Sequence, residues 1–192
     1  MSQYNDEKSI LNIFGFLSTR NFIALIILII LSSILILIHN KAIGFFVVPT
    51  SSMEPALMPG DKLMAVKQEV YYRGDIIVLK DPKEEDAFLA KRIVAIGGDS
   101  VSIAPIGLSI NGTLMREPYL QEAIEYEFGP YTVPEGYIFV LGDNRNESDD
   151  SHLWGQGVPA ETIIGKLSYI YSPKERRGAL PEGNLAFSPN SQ

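Results

Sequence analysis

A chain of 192 residues with a formal net charge of −7 has room for one domain of ordinary size and an appendage. The acidic balance argues against nucleic acid, because a phosphate-binding surface carries a basic excess or a strong basic patch. With no cysteine and only two histidines, disulfides and thiolate metal sites are excluded and a histidine-rich zinc site lacks ligands, so no metal or cofactor is expected.

Residues 1–21 read as a short cytoplasmic tail. From Phe22 to Ile38, "FIALIILIILSSILILI" carries no charge, and Ser32 and Ser33 are its only polar residues. As a helix, its 17 residues at about 1.5 Å each span about 26 Å of a hydrocarbon core about 30 Å thick. His39, Asn40, Lys41 and "AIGFF" can supply the missing length. The run exceeds the apolar core of a secretory signal, no A-x-A cleavage pattern follows, and no polar stripe marks a soluble helix. Residues 22–41 are therefore expected to anchor the chain in a lipid bilayer. Lys8 and Arg20 before the run, against Lys41 alone just after it, favour a cytoplasmic N-terminus and an exported C-terminal domain.

Residues 42–172 are expected to form one β-rich domain. Short apolar runs recur between turn signals: "FFVV", "KLMAV", "DIIVLK", "AFLAKRIVAI", "SVSI", "LSINGTLM", "GYIFVLG" and "IIGKLSYIY". Asn111-Gly112 between alternating residues signals a type I′ hairpin. Strands without intervening helices predict an antiparallel all-β body. Residues 173–192, rich in Pro, Gly, Ser and charge, predict a loose tail.

Three stretches can carry chemistry. In "PTSSMEP", three adjacent hydroxyls stand between prolines. An extended Thr50–Ser52 puts Thr50 and Ser52 on one face and Ser51 on the other. A nucleophilic serine needs a base, and His152 or a lysine are the candidates. A lysine about three units below its ordinary pKa requires about 4 kcal/mol of differential interaction, which burial supplies. In "AFLAKRIVAI", alternation sets Lys91 beside Leu89, Ile93 and Ala95, and Arg92 beside Phe88, Ala90 and Val94; a solvated edge-strand charge is the plainer alternative. The third stretch, "GDNRNESDDSHLWG", fails the spacing of an EF-hand calcium loop and can instead order a lysine or a substrate.

Together "PTSSMEPALMPGD", "YYRGDIIVLK", "AKRIVAIGGDSV" and "GDNRNESDDSHLWG" resemble, in order and spacing, the boxes of bacterial type I signal peptidases, from about Phe45 to Tyr171. The resemblance implies an antiparallel β fold of signal-peptidase/LexA-like type with an N-terminal transmembrane helix. It implies a Ser-Lys dyad that removes signal peptides from exported preproteins after small residues, typically Ala-X-Ala, at the bacterial cell membrane. Carried across, Ser52 is the nucleophile and Lys91 its general base. Thr50 and the Ser52 N–H are the oxyanion donors, Ser148 bonds the lysine, Asp150 orders the loop, and Asp143 pairs with Arg92 or Arg145. Phe46, Val48, Pro49, Met53, Leu57, Phe88, Leu89 and Ala90 are the expected substrate-pocket residues.

Some positions depart from the family pattern. His152 stands where many members have arginine, Ala95 and Gly97 where glycine and proline are frequent, and the accessory β segment near 101–134 is short. Three other readings stay open, the repressor one disfavoured by the acidic balance and because such proteins carry a DNA-binding domain in place of an apolar anchor. They are a specialised maturation protease for a pilus or conjugation protein, a LexA-like self-cleaving repressor, and a non-catalytic membrane-tethered peptide-binding module.

Overall fold

A computed structural model describes residues 19–39 and 42–180. Residues 1–18 of the tail expected over 1–21, residues 181–192 of the tail expected over 173–192, and the anchor residues Asn40 and Lys41 lie outside the described residues. The chain divides into two compact units between Ala42 and Ile43.

The first unit contains helix α1 (Thr19–His39), 21 residues long. Apolar side chains from Phe22 to Ile36 are exposed around it. The Ser32 and Ser33 hydroxyls donate back to carbonyls one turn earlier, to Leu28 at 2.9 Å and Ile29 at 2.8 Å, so neither is left unpaired among the apolar side chains. Among the described residues, no helix is long and apolar enough to cross a membrane.

The second unit is antiparallel β throughout. Its strands are β1 (Ile43–Val47), β2 (Lys62–Val66), β3 (Ile76–Lys80), β4 (Phe88–Ile96), β5 (Ser100–Ala104), β6 (Gly107–Ile110), β7 (Thr113–Leu114), β8 (Phe128–Thr132), β9 (Tyr137–Leu141), β10 (Val158–Pro159), β11 (Ile163–Ser172) and β12 (Gly178–Ala179). A larger sheet runs β1-β2-β11-β3-β4-β9-β10, with β12 pairing β11; a smaller one runs β7-β6-β5-β8. Every run anticipated as a strand forms one. Asn111 at φ 54° and Gly112 at φ 78° make the positive-φ turn joining β6 to β7.

Alternation explains the burial. In β2 the pattern Lys62 out, Leu63 in, Ala65 in seats Leu63 and Ala65 with Met53, Leu57, Ile76, Val78 and Leu167. The central strands β3 and β9 are apolar on both faces, because one face meets each of two cores. Val94, Phe139 and Leu141 of the larger sheet join Val101, Ile103, Leu108 and Ile110 of the smaller in one cluster. The residues just past β11 are not the loose tail expected from 173 onward. Arg176 bonds Asp61 at 2.9 Å and the Ala56 carbonyl at 3.1 Å, and β12 pairs with Tyr169 and Ile170.

Candidate active site

Ser52 follows β1 in a bent segment. The Glu54 N–H donates to the Ser51 carbonyl at 3.0 Å, and the Leu57 N–H to the Met53 carbonyl at 2.9 Å. Thr50 and Ser52 still come together, with the Thr50 hydroxyl donating to the Ser52 hydroxyl at 3.3 Å. A turn, not strand alternation, makes this pairing. Ser51 is exposed and contributes its carbonyl, which also accepts from Asn144 Nδ2 at 3.3 Å.

Lys91 lies on β4 opposite Ile77 of β3 and is only 2% exposed, so it is no solvated edge charge. Its strand neighbours Leu89 and Ile93 share an apolar cluster with Ile77 and Val140. Burial lowers its pKa from the ordinary lysine value, against the pull of Asp150, Asp149, Asp81 and Asp143, which favour the ammonium. Lys91 Nζ donates to Ser148 Oγ at 2.9 Å. The face expected to continue from Ile93 to Ala95 breaks there. A register shift against β9 between these two residues sends both Val94 and Ala95 into the core shared with the smaller sheet.

The loop after β9 joins the serine to the lysine. A Cβ on Gly142 would collide with the Ser148 hydroxyl and the Ser52 carbonyl, so both groups crowd against this one glycine. The Asn144 N–H donates to the Ser52 carbonyl at 3.1 Å and fixes that peptide unit. Asp150 is fully buried and accepts from the Gly142 N–H at 2.8 Å and the His152 N–H at 3.2 Å. It thereby caps the short helix α2 (Ser151–Trp154). His152 Nδ1 lies 2.6 Å from the same carboxylate, and its ring stacks on Tyr126 at 3.9 Å.

Asp143 pairs with Arg92, not Arg145, through two bonds of 2.7 and 2.6 Å. Arg92 also donates to the Gly74 carbonyl at 2.7 Å and lies 4.0 Å above the Tyr119 ring. Arg145 forks onto Glu117 and donates to the Gly142 carbonyl at 3.1 Å. Two buried Arg–carboxylate pairs therefore brace the loop from either side.

A groove of about 380 Å³ is lined by Phe46, Val48, Pro49, Phe88, Leu89 and Ala90, together with Phe45, Val47, Leu63 and Val78. Phe46 and Phe88 meet edge to face at 5.8 Å across it. Met53 and Leu57, also expected to line the pocket, are 1% and 0% exposed and pack in the core beneath instead.

Sequence reasoning missed Gly142, Asn144, Glu117, Tyr119 and Tyr126. Gly142 was visible as the glycine that ends an apolar strand before a polar loop, a position where close backbone approach is common. Asn144 acts through its backbone, and Glu117 reaches Arg145 from 28 positions away, which no local pattern reveals.

The family model described as "Signal peptidase, peptidase S26" matches residues 19–172. The chain is 41% identical over 141 residues to the probable thylakoidal processing peptidase 2 of Arabidopsis thaliana, covering 67% of this chain and 38% of that protein. It is 39% identical over 145 residues to the probable signal peptidase I-2 of Synechocystis, covering 70% and 66%. A solved signal peptidase I of Enterococcus faecalis is 33% identical, with a TM-score of 0.47, covering 52% of this chain and 98% of that one. The chain thus spans well under half the length of the thylakoidal relative and about two thirds of the Synechocystis one. It belongs to the signal peptidase family, peptidase S26.

Proposed function

We propose that the chain is a membrane-anchored serine endopeptidase that removes signal peptides from exported preproteins through a Ser52–Lys91 dyad. The observation that carries this reading is the buried Lys91 amine. It bonds Ser148 at 2.9 Å, and Ser148 shares the Gly142 contact with the backbone of Ser52. A lysine whose pKa is lowered by burial is neutral in a larger share of molecules than an ordinary lysine at the same pH, and the neutral amine has a lone pair for a proton.

Neutral Lys91 takes the Ser52 proton as Ser52 Oγ attacks the scissile carbonyl. The Ser52 N–H and the Thr50 hydroxyl stabilise the oxyanion. Thr50 has a single O–H, now directed at Ser52 Oγ, so it rotates toward the substrate when the oxyanion forms. The lysine ammonium then protonates the leaving amine, an acyl-enzyme remains on Ser52, and the neutral amine activates the deacylating water. Asp150 and Asp143 act at a distance by holding the loop that carries Ser148.

The groove supports the reading that cleavage occurs after small residues of the Ala-X-Ala type. Edge strand β1 and the start of β4 offer backbone to an extended peptide, and the Phe46–Phe88 contact limits side-chain size. Membrane attachment is supported by the uncharged run Phe22–Ile38. The domain 42–172 then works on the exported face, and 1–21 stays cytoplasmic.

The test is processing of an Ala-X-Ala preprotein by the full chain in membranes. Ser52→Ala and Lys91→Ala abolish cleavage and Ser51→Ala retains it. Loss with Ser51→Ala and full activity with Ser52→Ala overturns the assignment. Alkaline carbonate extraction of the membranes tests anchoring separately, since an anchored chain stays with the lipid.

A further inference from the structure

A second cavity of about 100 Å³ lies beside the chain that follows Ser52, lined by Glu54, Gln121, Glu122, Asn144 and Asn146 together with Asp143 and Arg145. It shares no lining residue with the apolar groove, most of whose walls come from residues 45–49 and 88–90. Asn144 ties it to the nucleophile candidate, because its N–H holds the Ser52 carbonyl at 3.1 Å and its side chain the Ser51 carbonyl at 3.3 Å.

The charges in this cavity do not cancel. Asp143 is consumed by Arg92 and Arg145 by Glu117. Among the described residues, Glu54 and Glu122 have no ion-pair partner. Glu54 is half-buried and Glu122 exposed, so the cavity keeps two uncompensated carboxylates at different depths.

We propose that this cavity receives the first residues after the scissile bond and that Glu54 and Glu122 make it select cationic side chains there over anionic ones. The inference rests on the peptidase reading. An extended peptide whose N-terminal part lies in the apolar groove crosses Ser52 and continues toward Glu54. The leaving side of the peptide meets a polar, negatively charged cavity where the acyl side met an apolar one. The α-ammonium freed by cleavage is common to every substrate and gives no discrimination; a lysine or glutamate side chain in these positions does. Two carboxylates within a few ångströms of a partly solvated charge give about a five- to tenfold difference, weakened by salt.

The experiment uses the full chain in detergent and matched peptides that differ only in Lys, Gln or Glu at the first three positions after the cleavage site. For the native chain, kcat/KM is about five- to tenfold higher for Lys than for Glu at low salt, and the ratio narrows in 0.5 M salt. In the Glu54→Gln/Glu122→Gln variant the ratio falls to about twofold or less, and cleavage of the Gln peptide changes least of the three. Binding of the same peptides to the Ser52→Ala chain reads the preference without turnover and separates the two ideas. Binding that favours Lys without any cleavage sinks the peptidase reading and keeps the cavity assignment. A Lys-to-Glu ratio near one, a ratio unchanged in the double variant, or no binding of either peptide overturns the cavity assignment.

Discussion

Ser148 Oγ accepts a 2.9 Å hydrogen bond from Lys91 Nζ inside a site where the lysine is 2% exposed. The bond spends one amine hydrogen and leaves the lone pair of the neutral amine free to be aimed elsewhere. Ser148→Ala leaves the amine buried without that partner, at a cost of about 1–3 kcal/mol. If the cost falls on positioning, kcat drops about ten- to a hundredfold with a small change in KM. Steady-state kinetics of Ser148→Ala, Ser148→Thr and the native chain check this. Partial recovery by threonine marks the hydroxyl as the operative group, and equal loss in both variants counts against it.

With Lys91 as the proposed general base, its lowered pKa predicts an activity that rises with pH. Burial favours the neutral amine, and the surrounding carboxylates only partly oppose it. The active fraction therefore grows as pH climbs through the folded-state pKa, below the ordinary lysine value of 10.5. Stability follows the same sign. The unfolded chain binds more protons than the folded one between the two pKa values, so the Lys91 site destabilises the fold at low pH and ceases to do so as pH rises. The Tm of the native chain should accordingly gain on that of Lys91→Met as pH increases from neutral toward 10. A difference independent of pH would show that Lys91 is not desolvated.

Gly142→Ala is a sharper probe than most catalytic substitutions. Its Cβ meets the Ser148 side chain and the Ser52 carbonyl at once, and one of these is backbone, so neither rotates away cheaply. Overpacking of this kind costs about 1–3 kcal/mol of stability, which a thermal melt resolves. On the proposed mechanism the expected loss of activity is larger, about a hundredfold or more, because the Ser148 and Ser52 sides of the proposed dyad both move. Activity that falls only in proportion to the folded fraction would mean that Gly142 serves the fold alone.

The sheet was legible because its strands obey simple alternation and end at turn residues. β2 matches "KLMAV" to the residue, and Asn111-Gly112 forms the hairpin its residue types demand. What was hidden has physical reasons. β8 contains Gly129 and Pro130, which weaken a strand signal, and β10 and β12 have two residues each. The short helix Ser151–Trp154 lies inside a stretch read as loop, though Asp150 caps it as such a residue should. Within the site, the closeness of Thr50 to Ser52 was anticipated by strand geometry and is reached by a turn. Met53 and Leu57, expected to line the pocket, are folded inward by the turn after Ser52. The choice of Arg92 over Arg145 for Asp143 depends on a contact across 51 positions.

That Arg92–Asp143 pair supplies the final test. Both side chains are nearly inaccessible, at 3% and 0%, and the fork is bidentate. Breaking such a pair from one side strands a buried charge and costs about 3–5 kcal/mol, whereas replacing both partners by apolar residues of similar volume is far milder. Asp143→Leu alone should therefore destabilise strongly, leaving Arg92 with only the Gly74 carbonyl and the Tyr119 ring. The Arg92→Met/Asp143→Leu chain should recover most of that stability in urea unfolding. Its activity is expected to stay low, because Asp143 begins the loop that carries Asn144 and Ser148, and an apolar pair does not fix the loop's direction as two parallel hydrogen bonds do. Recovery of stability without activity separates positioning from folding. Recovery of both would reduce the pair to a structural brace, and recovery of neither would show that the site cannot close around apolar side chains.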